Sequence, residues 1–337
     1  MKADDKKPAA KDPQAYEAER LLPLRKTMLF QLAVSPDIGV SGNTFWEELT
    51  CVGYNPQTNL LEAVVSIKRS TGYSGGLCTT GSKEYVRFFV DYGGGFQDLG
   101  FTSFDAHDIP DPGGTLHPIE YMVRMPLPDA GQRRCCRHGV IPTVRAVLSW
   151  NTPPPTNPNL LGPFGNRLDA RIQLAPKPYS LACLLEDIKI DLPVLKMLDL
   201  EQALPKKSTP LASTKFEKFR KYRQAKIPDH RALAPVVHAF SGQQAPQGAQ
   251  ISPAQFAELA KLNVNWQAIL DALSQSSADV SFEELTCVGL ETAADTLGAV
   301  IHVKQPTGYS GDLCEDGSKE YVAFWADWKE NVINYTR

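Results

Sequence analysis

The sequence has no apolar run long enough to cross a bilayer as a helix. Its first residues, Met1-Lys2-Ala3-Asp4-Asp5-Lys6-Lys7-Pro8, are charged where a secretory signal would carry its apolar core. These two absences lead to the expectation of a cytoplasmic chain that does not span a membrane with a helix, with residues 1–26 as a disordered or helical tail. A surplus of one charge sign is also missing. Lys and Arg number 35 against 38 Asp and Glu, a net charge of −3, which supplies no global attraction toward nucleic acid or an anionic membrane. Cys-x-x-Cys pairs are absent as well, which removes the commonest zinc and redox spacing.

What the sequence does contain is a segment written twice. Glu47-Glu48-Leu49-Thr50-Cys51-Val52-Gly53 returns as Glu283-Glu284-Leu285-Thr286-Cys287-Val288-Gly289. Thr71-Gly72-Tyr73-Ser74-Gly75, Leu77-Cys78 and Gly81-Ser82-Lys83-Glu84-Tyr85-Val86 return at 307–311, 313–314 and 317–322. Segments 47–91 and 283–327 align without a gap, and more than half of their positions are identical, so they read as one structural unit used twice. Seven cysteines without a signal sequence are expected to be reduced thiols. Should the chain be exported by another route, Cys51/Cys78 and Cys287/Cys314 offer one bridge per copy.

Within the unit the hydrophobic period is two. Leu61, Ala63, Val65 and Ile67 alternate with Glu62, Val64, Ser66 and Lys68, and Leu297, Ala299, Ile301 and Val303 hold the matching places. Val86, Phe88 and Val90 alternate likewise, matched by Val322, Phe324 and Ala326. Cys51 and Cys287 share the parity of Leu49 and Leu285, which points both toward a core as small hydrophobes. Further strands are predicted at 96–104, 119–125, 143–150 and 167–174, where Leu168, Ala170, Ile172 and Leu174 face one way. About seven short strands with Pro- and Gly-rich turns and no helical period read as an antiparallel, immunoglobulin-like β-sandwich over 27–176, with an added strand at 27–34. The loop 151–159 is expected to stand at one end of it.

Residues 177–280 read as a helical connector interrupted by a linker at 241–250. Thr214-Lys215-Phe216-Glu217 and Ser252-Pro253-Ala254-Gln255 are capping boxes that open helices, and a third short helix is predicted over 265–273. These stripes are too short to enclose a core and are expected to dock on a sandwich. Residues 281–337 form a partial repeat with about three strands. Its open apolar face is expected to pack on the helices of its own chain and to leave one edge for association, since natural proteins cover such edges.

The strings Glu-Leu-Thr-Cys-Val-Gly, Thr-Gly-Tyr-Ser-Gly and Gly-Ser-Lys-Glu-Tyr-Val, with Val144-Arg145-Ala146-Val147-Leu148-Ser149-Trp150-Asn151, resemble a group of bacterial proteins that carry this sandwich, often twice. The resemblance covers the chain from about Gly42 onward. It implies architecture and a bacterial source, and it carries no activity, cofactor or functional residue. The second sandwich departs from the pattern by stopping after its first strands, and a truncated form of a longer chain is one reading of that.

Four constellations bear on function. Gly72-Tyr73-Ser74-Gly75-Gly76 matches the Gly-x-Ser-x-Gly elbow of hydrolases, but another strand comes next instead of a helix, and Asp312 replaces the last glycine in the second copy. The alternative reading is a turn whose glycines take positive φ. Cys135, Cys136 and His138, with His107 and His117 in the same stretch, suit zinc by chemistry but not by spacing, since adjacent cysteines cannot easily ligate one ion together. The basic stretch 215–226 carries Lys215, Lys218, Arg220, Lys221, Arg223 and Lys226 with Phe216, Phe219 and Tyr222. It reads as a solvated face with docked aromatics, and as a phosphate-backbone or anionic-lipid contact only in the alternative. Finally, Tyr73, Ser74, Trp150, Asn151, Tyr309 and Ser310 sit in aromatic, polar loops of the kind that bind ligands at sandwich ends. The expected role is a non-catalytic structural or interaction module without a cofactor. Its partners would be protein, including a second copy of itself. The rival is a hydrolase at Ser74 or a zinc-dependent enzyme around Cys135 and His138.

Overall fold

Nine strands form among the described residues of the computed structural model, which are 42–128, 131–136, 138–177, 183, 220–231, 264, 271, 279–309, 313–314 and 317–327. In chain order they are β1 (Glu47–Asn55), β2 (Leu60–Ile67), β3 (Ser82–Asp91), β4 (Phe96–Ala106), β5 (Ile119–Pro126), β6 (Thr143–Trp150), β7 (Arg167–Arg171), β8 (Glu283–Glu291) and β9 (Thr296–Val303). The tail, the strand at 27–34, the linker 241–250 and the helices opened at Ser252 and over 265–273 lie outside the described residues, apart from single positions. Of the helix opened at Thr214, residues 220–224 are described and are helical. No described helix is long and apolar enough to cross a membrane.

The chain is mainly β, in two sheets. One has the order β4-β3-β6-β7, and the other β1-β2-β5, with the β8–β9 hairpin joined to β5 by the single parallel bridge Tyr121↔Leu290. Side chains that alternate in sequence meet between the sheets. Leu61, Ala63, Val65 and Ile67 of β2 face Val86, Phe88 and Val90 of β3 and Val144, Ala146 and Leu148 of β6, with Ile172 and Leu174 beyond β7. Full burial of each large aliphatic or aromatic side chain contributes about 1.5–3 kcal/mol, more than a typical net hydrogen bond of about 1 kcal/mol. The layer between the sheets therefore holds the fold, and the ladders set its register. The loop 151–159 does not stand at one end. It folds across the outer face of β3 and β6, where Arg87 Nε donates to the Pro154 carbonyl at 2.8 Å and Arg145 donates to the Pro158 carbonyl at 3.0 Å. The guanidinium donors on that face take the loop's carbonyls as acceptors, which holds the proline loop over them.

The β3–β4 register slips between Phe88 and Phe89, and matching slips in β1 and β8 decide what packs outside the core. The β1–β2 register slips between Leu49 and Cys51, and the β8–β9 register slips at the same point, between Leu285 and Cys287. In each case the hydroxyl of the extra threonine donates to a carbonyl of the paired strand, Thr50 to Val64 at 3.2 Å and Thr286 to Val300 at 3.0 Å. A bulge residue reverses the facing of the residues after it. Leu49 and Val52 thus enter the sandwich core while Cys51 turns outward.

On that outer face Cys51, Val64 and Met122 pack against Val300 and Cys287 of the hairpin. Cys51 is buried, Cys287 is half-buried, and the two form a disulfide with Cα atoms 6.3 Å apart. Glycines permit the approach: a Cβ on Gly289 would lie 3.2 Å from the Met122 nitrogen, and one on Gly53 would lie 3.2 Å from Val300. Arg124 links the layers through Glu62 at 3.2 Å and Glu291 at 2.9 Å. The partial repeat is therefore covered by the first sandwich of its own chain, with a further contact from residues 227–231, rather than by helices alone. Its third strand does not form. Residues 317–327 carry no strand, and Tyr321 and Trp325 are 83% and 88% exposed, because the segment has no neighbours equivalent to β4 and β6.

Neither the reduced thiols expected from the sequence nor the alternative of one bridge per copy is found. Disulfides join Cys51–Cys287, Cys135–Cys183 and Cys136–Cys314, and the seventh cysteine, Cys78, is an exposed thiol. Alkylation of protein isolated without reductant should label Cys78 alone, and peptide mapping should return these three pairs. A Cys51–Cys78 peptide, or seven free thiols, would show this arrangement to be wrong. Closing a loop of 236 residues is worth about 5 kcal/mol in the chain-entropy account. The Cys51→Ala, Cys287→Ala double variant should accordingly unfold at clearly lower urea.

Candidate binding site at the end of the sandwich

Glu47 opens β1 on the same parity as Leu49, so its carboxylate points inward where the sandwich ends. The residue before it, Trp46, is pinned through its carbonyl, which accepts from the Lys68 amide at 2.7 Å and from the Tyr73 hydroxyl at 2.8 Å. The loop after β2 must then turn sharply beneath the indole. Gly72 supplies φ +116°, and a Cβ there would meet Trp46 Nε1 at 2.8 Å, so both conformation and space require glycine. Asp108 locks the loop by accepting from the amides of Tyr73 at 2.8 Å and Gly75 at 3.1 Å. From the opposite sheet β6 delivers Trp150, and the segment before β7 delivers Phe164.

These residues enclose a small pocket. Trp46, Glu47, Gly72, Trp150 and Phe164 line about 140 Å³. Phe164 stands edge-on to both indoles, at 5.5 Å and 81° to Trp150 and at 6.2 Å and 84° to Trp46. The walls are aromatic, and among the described residues the one charged lining residue is Glu47, which is 2% exposed. No described hydrogen bond reaches its carboxylate. The charge of Lys68 acts on it, and that ammonium pairs with Glu48 and donates to the Thr44 carbonyl.

Behind Glu47 lies a second carboxyl. Glu84 of β3 is wholly buried, and both of its oxygens lack a partner among the described residues. Burial, then the charge of Glu47, push it up to about 9. Burial also raises Glu47 to about 7, with Lys68 opposing. The Tyr73 hydroxyl is raised by burial and then by both carboxylates. The site therefore presents a buried acid beneath aromatic faces, an arrangement that suits a cation.

The residues proposed from sequence fare unevenly. Trp150 lines the pocket. Tyr73 does not, because it is fully buried beneath Trp46 with its hydroxyl engaged. Ser74 is exposed at φ 63° and has no hydrogen-bond partner among the described residues, while the His107 imidazole Nε2 donates to the Thr79 carbonyl at 3.1 Å, so no serine–histidine pair assembles. Asn151 closes β6 onto β3, its carboxamide oxygen accepting from the Lys83 amide at 3.1 Å. Tyr309 repeats Tyr73, donating to the Phe282 carbonyl at 2.7 Å. Ser310 lies outside the described residues. The zinc alternative fails because the sulfurs of Cys135 and Cys136 are consumed in disulfides, so neither can ligate an ion beside His138 as a thiolate. In the basic stretch 215–226, the described Arg223 pairs with Asp229 at 2.8 Å.

Sequence reasoning missed Trp46, Glu47, Gly72 and Phe164. A signal did exist: Glu47 and Glu84 occupy inward-facing strand positions that otherwise hold Leu, Val and Phe.

Both carboxyls bind protons more tightly folded than unfolded. Stability should accordingly fall as pH rises from about 4.5, the decline from Glu47 ending near 7 and that from Glu84 near 9. Glu84→Gln should flatten urea midpoints measured between pH 5 and 9 and stabilise the protein most at the alkaline end. A variant profile parallel to the wild type would contradict this assignment. Against known proteins, the chain matches no family model and no curated protein.

Proposed function

We propose that this chain is a non-catalytic interaction module, an immunoglobulin-like sandwich followed by a partial copy of itself. In this reading the first copy binds a ligand in the pocket over Glu47, and the second serves as a structural layer across its outer face. The observation that carries the reading is the aromatic pocket over one buried carboxylate that no described hydrogen bond reaches. A stable protein has no structural need for such a feature, and burying a charge without a partner is costly. The unassembled Ser74 loop and the disulfide-bound Cys135 and Cys136 weigh against the enzyme alternatives. The three disulfides favour an oxidising compartment over the cytoplasm expected from the sequence.

The test uses the indole N–H resonances of Trp46 and Trp150 and a panel of cationic, neutral and anionic small fragments. Cationic fragments should shift both signals saturably, and Trp150→Ala should weaken their binding at least tenfold while the unfolding midpoint changes little. If no fragment moves either resonance, the pocket is not a binding site and the reading fails.

Self-association is part of the same reading, because Leu285, Val303 and Trp325 leave apolar surface exposed on the partial copy. Sedimentation should show a dimer that Trp325→Glu dissociates; an unchanged mass would remove this element.

A further inference from the structure

We infer that the pocket over Glu47 recognises a guanidinium group, the head of an arginine side chain. The inference rests on the binding reading above and goes further by naming the ligand chemistry. It comes from the second copy, where the same residues already hold one.

Phe282, Glu283, Gly308 and Tyr309 stand in the places of Trp46, Glu47, Gly72 and Tyr73. The local frame repeats closely. The Lys304 amide donates to the Phe282 carbonyl at 2.7 Å, as Lys68 does to Trp46 at 2.7 Å. The Tyr309 hydroxyl donates to that carbonyl at 2.7 Å, against 2.8 Å for Tyr73. Gly308 has φ +110° and would place a Cβ 2.7 Å from the Phe282 ring, against +116° and 2.8 Å for Gly72 and the Trp46 indole. In this frame Glu283 accepts two hydrogen bonds from the Arg231 guanidinium, at 2.7 and 2.6 Å. The guanidinium carbon lies 4.3 Å from the centre of the Phe282 ring and 5.2 Å from that of Tyr309. Glu320, in the place of Glu84, adds its charge to the field at Arg231. The repeated unit, in its second copy, is an arginine receptor filled by its own chain.

The first copy keeps the carboxylate, the glycine, the tyrosine and the second acid, but no cation among the described residues reaches Glu47. It also improves the walls. Trp46 replaces Phe282, and an indole face attracts cations more strongly than a phenyl ring. Trp150 and Phe164 add two further faces that have no counterpart among the described residues of the partial copy. A guanidinium fits better than an ammonium for two reasons. Its planar fork matches a carboxylate with two parallel hydrogen bonds, and it sheds water and stacks on aromatic rings more readily.

Binding is measured by calorimetry and by the indole resonances of Trp46 and Trp150, with four probes: N-acetyl-arginine methylamide, free arginine, N-acetyl-lysine methylamide and N-acetyl-citrulline methylamide. Both arginine compounds should bind, the lysine compound more weakly, and the uncharged citrulline compound at least tenfold more weakly than its arginine counterpart. Glu47→Gln should cost at least tenfold in arginine affinity, and Glu283→Gln should leave it unchanged. Tighter binding of the capped arginine identifies an arginine within a polypeptide as the source, whereas tighter binding of the free amino acid identifies the metabolite. Equal affinity for arginine and citrulline, preference for lysine, or an unaffected but folded Glu47→Gln variant would overturn the assignment. The citrulline comparison uses the wild-type protein, so it decides the matter even if the variant does not fold. Should other fragments still move the indoles in that case, the pocket stands and only its guanidinium specificity falls.

Discussion

The extra residue in β1, Thr50, decides which surfaces this protein buries. With a regular pleat, Leu49 and Cys51 would share a face, and β1 would offer the core a thiol in place of Val52. The bulge instead lets Leu49 and Val52 both enter the core and turns Cys51 outward beside Val64. The same slip in β8 turns Cys287 toward it, so the two outward cysteines, with Val64 and Val300, meet in near-reciprocal contact. Thr50 and Thr286 complete the exchange, each hydroxyl lying within 3.7 Å of the other strand pair's cysteine sulfur. A contact in which like residues face like residues is the geometry of a two-fold dimer, built here within one chain.

That contact explains why β2 is buried on both faces. An antiparallel sheet can leave one face in water, and Glu62 and Ser66 are residues suited to it. Both are buried nevertheless, and each has a polar neighbour in place: Glu62 pairs with Arg124 at 3.2 Å, and Ser66 donates to Glu120 at 2.9 Å. Once docked, the hairpin holds to the first sandwich through Cys287 and Val300. The segment 317–327 then has no sheet to join. A single strand with neither ladder partner nor facing layer cannot offset the entropy of ordering it, so the text that makes β3 in the first copy makes no strand in the second.

Much of the first sandwich is legible in the sequence because period-two alternation and half-burial are two views of one fact. β2, β3, β6 and β7 fall where the alternation places them, and Leu168 to Leu174 face inward as the parity requires. Legibility ends where a local feature breaks the period. The bulge after Leu49 leaves no mark in an apolar pattern, so simple alternation gives Cys51 the wrong facing, and with it the wrong pairing of the cysteines. Tyr73 is misplaced for a related reason. Aromatic residues in loops can sit on the surface or plug the end of a core, and only the approach of Trp46 above Gly72 decides between them. The pocket itself is out of reach of the sequence, since it gathers residues from β1, the loop after β2, β6 and the segment before β7.

The buried acids set the two copies apart. An inward carboxylate in a β-sandwich is destabilising unless it is neutralised by a proton or paired with a cation. The second copy uses the cation, because Arg231 holds Glu283 in a fork and stacks on Phe282. The first copy has Lys68 only at a distance, and its acids take the proton instead, which is the physical content of their raised values near 7 and 9. Two copies of one sequence thus hold the same charge in two ways. The copy with the internal cation is closed and serves the architecture. Only the copy without one retains a carboxylate whose stabilising partner can still come from outside.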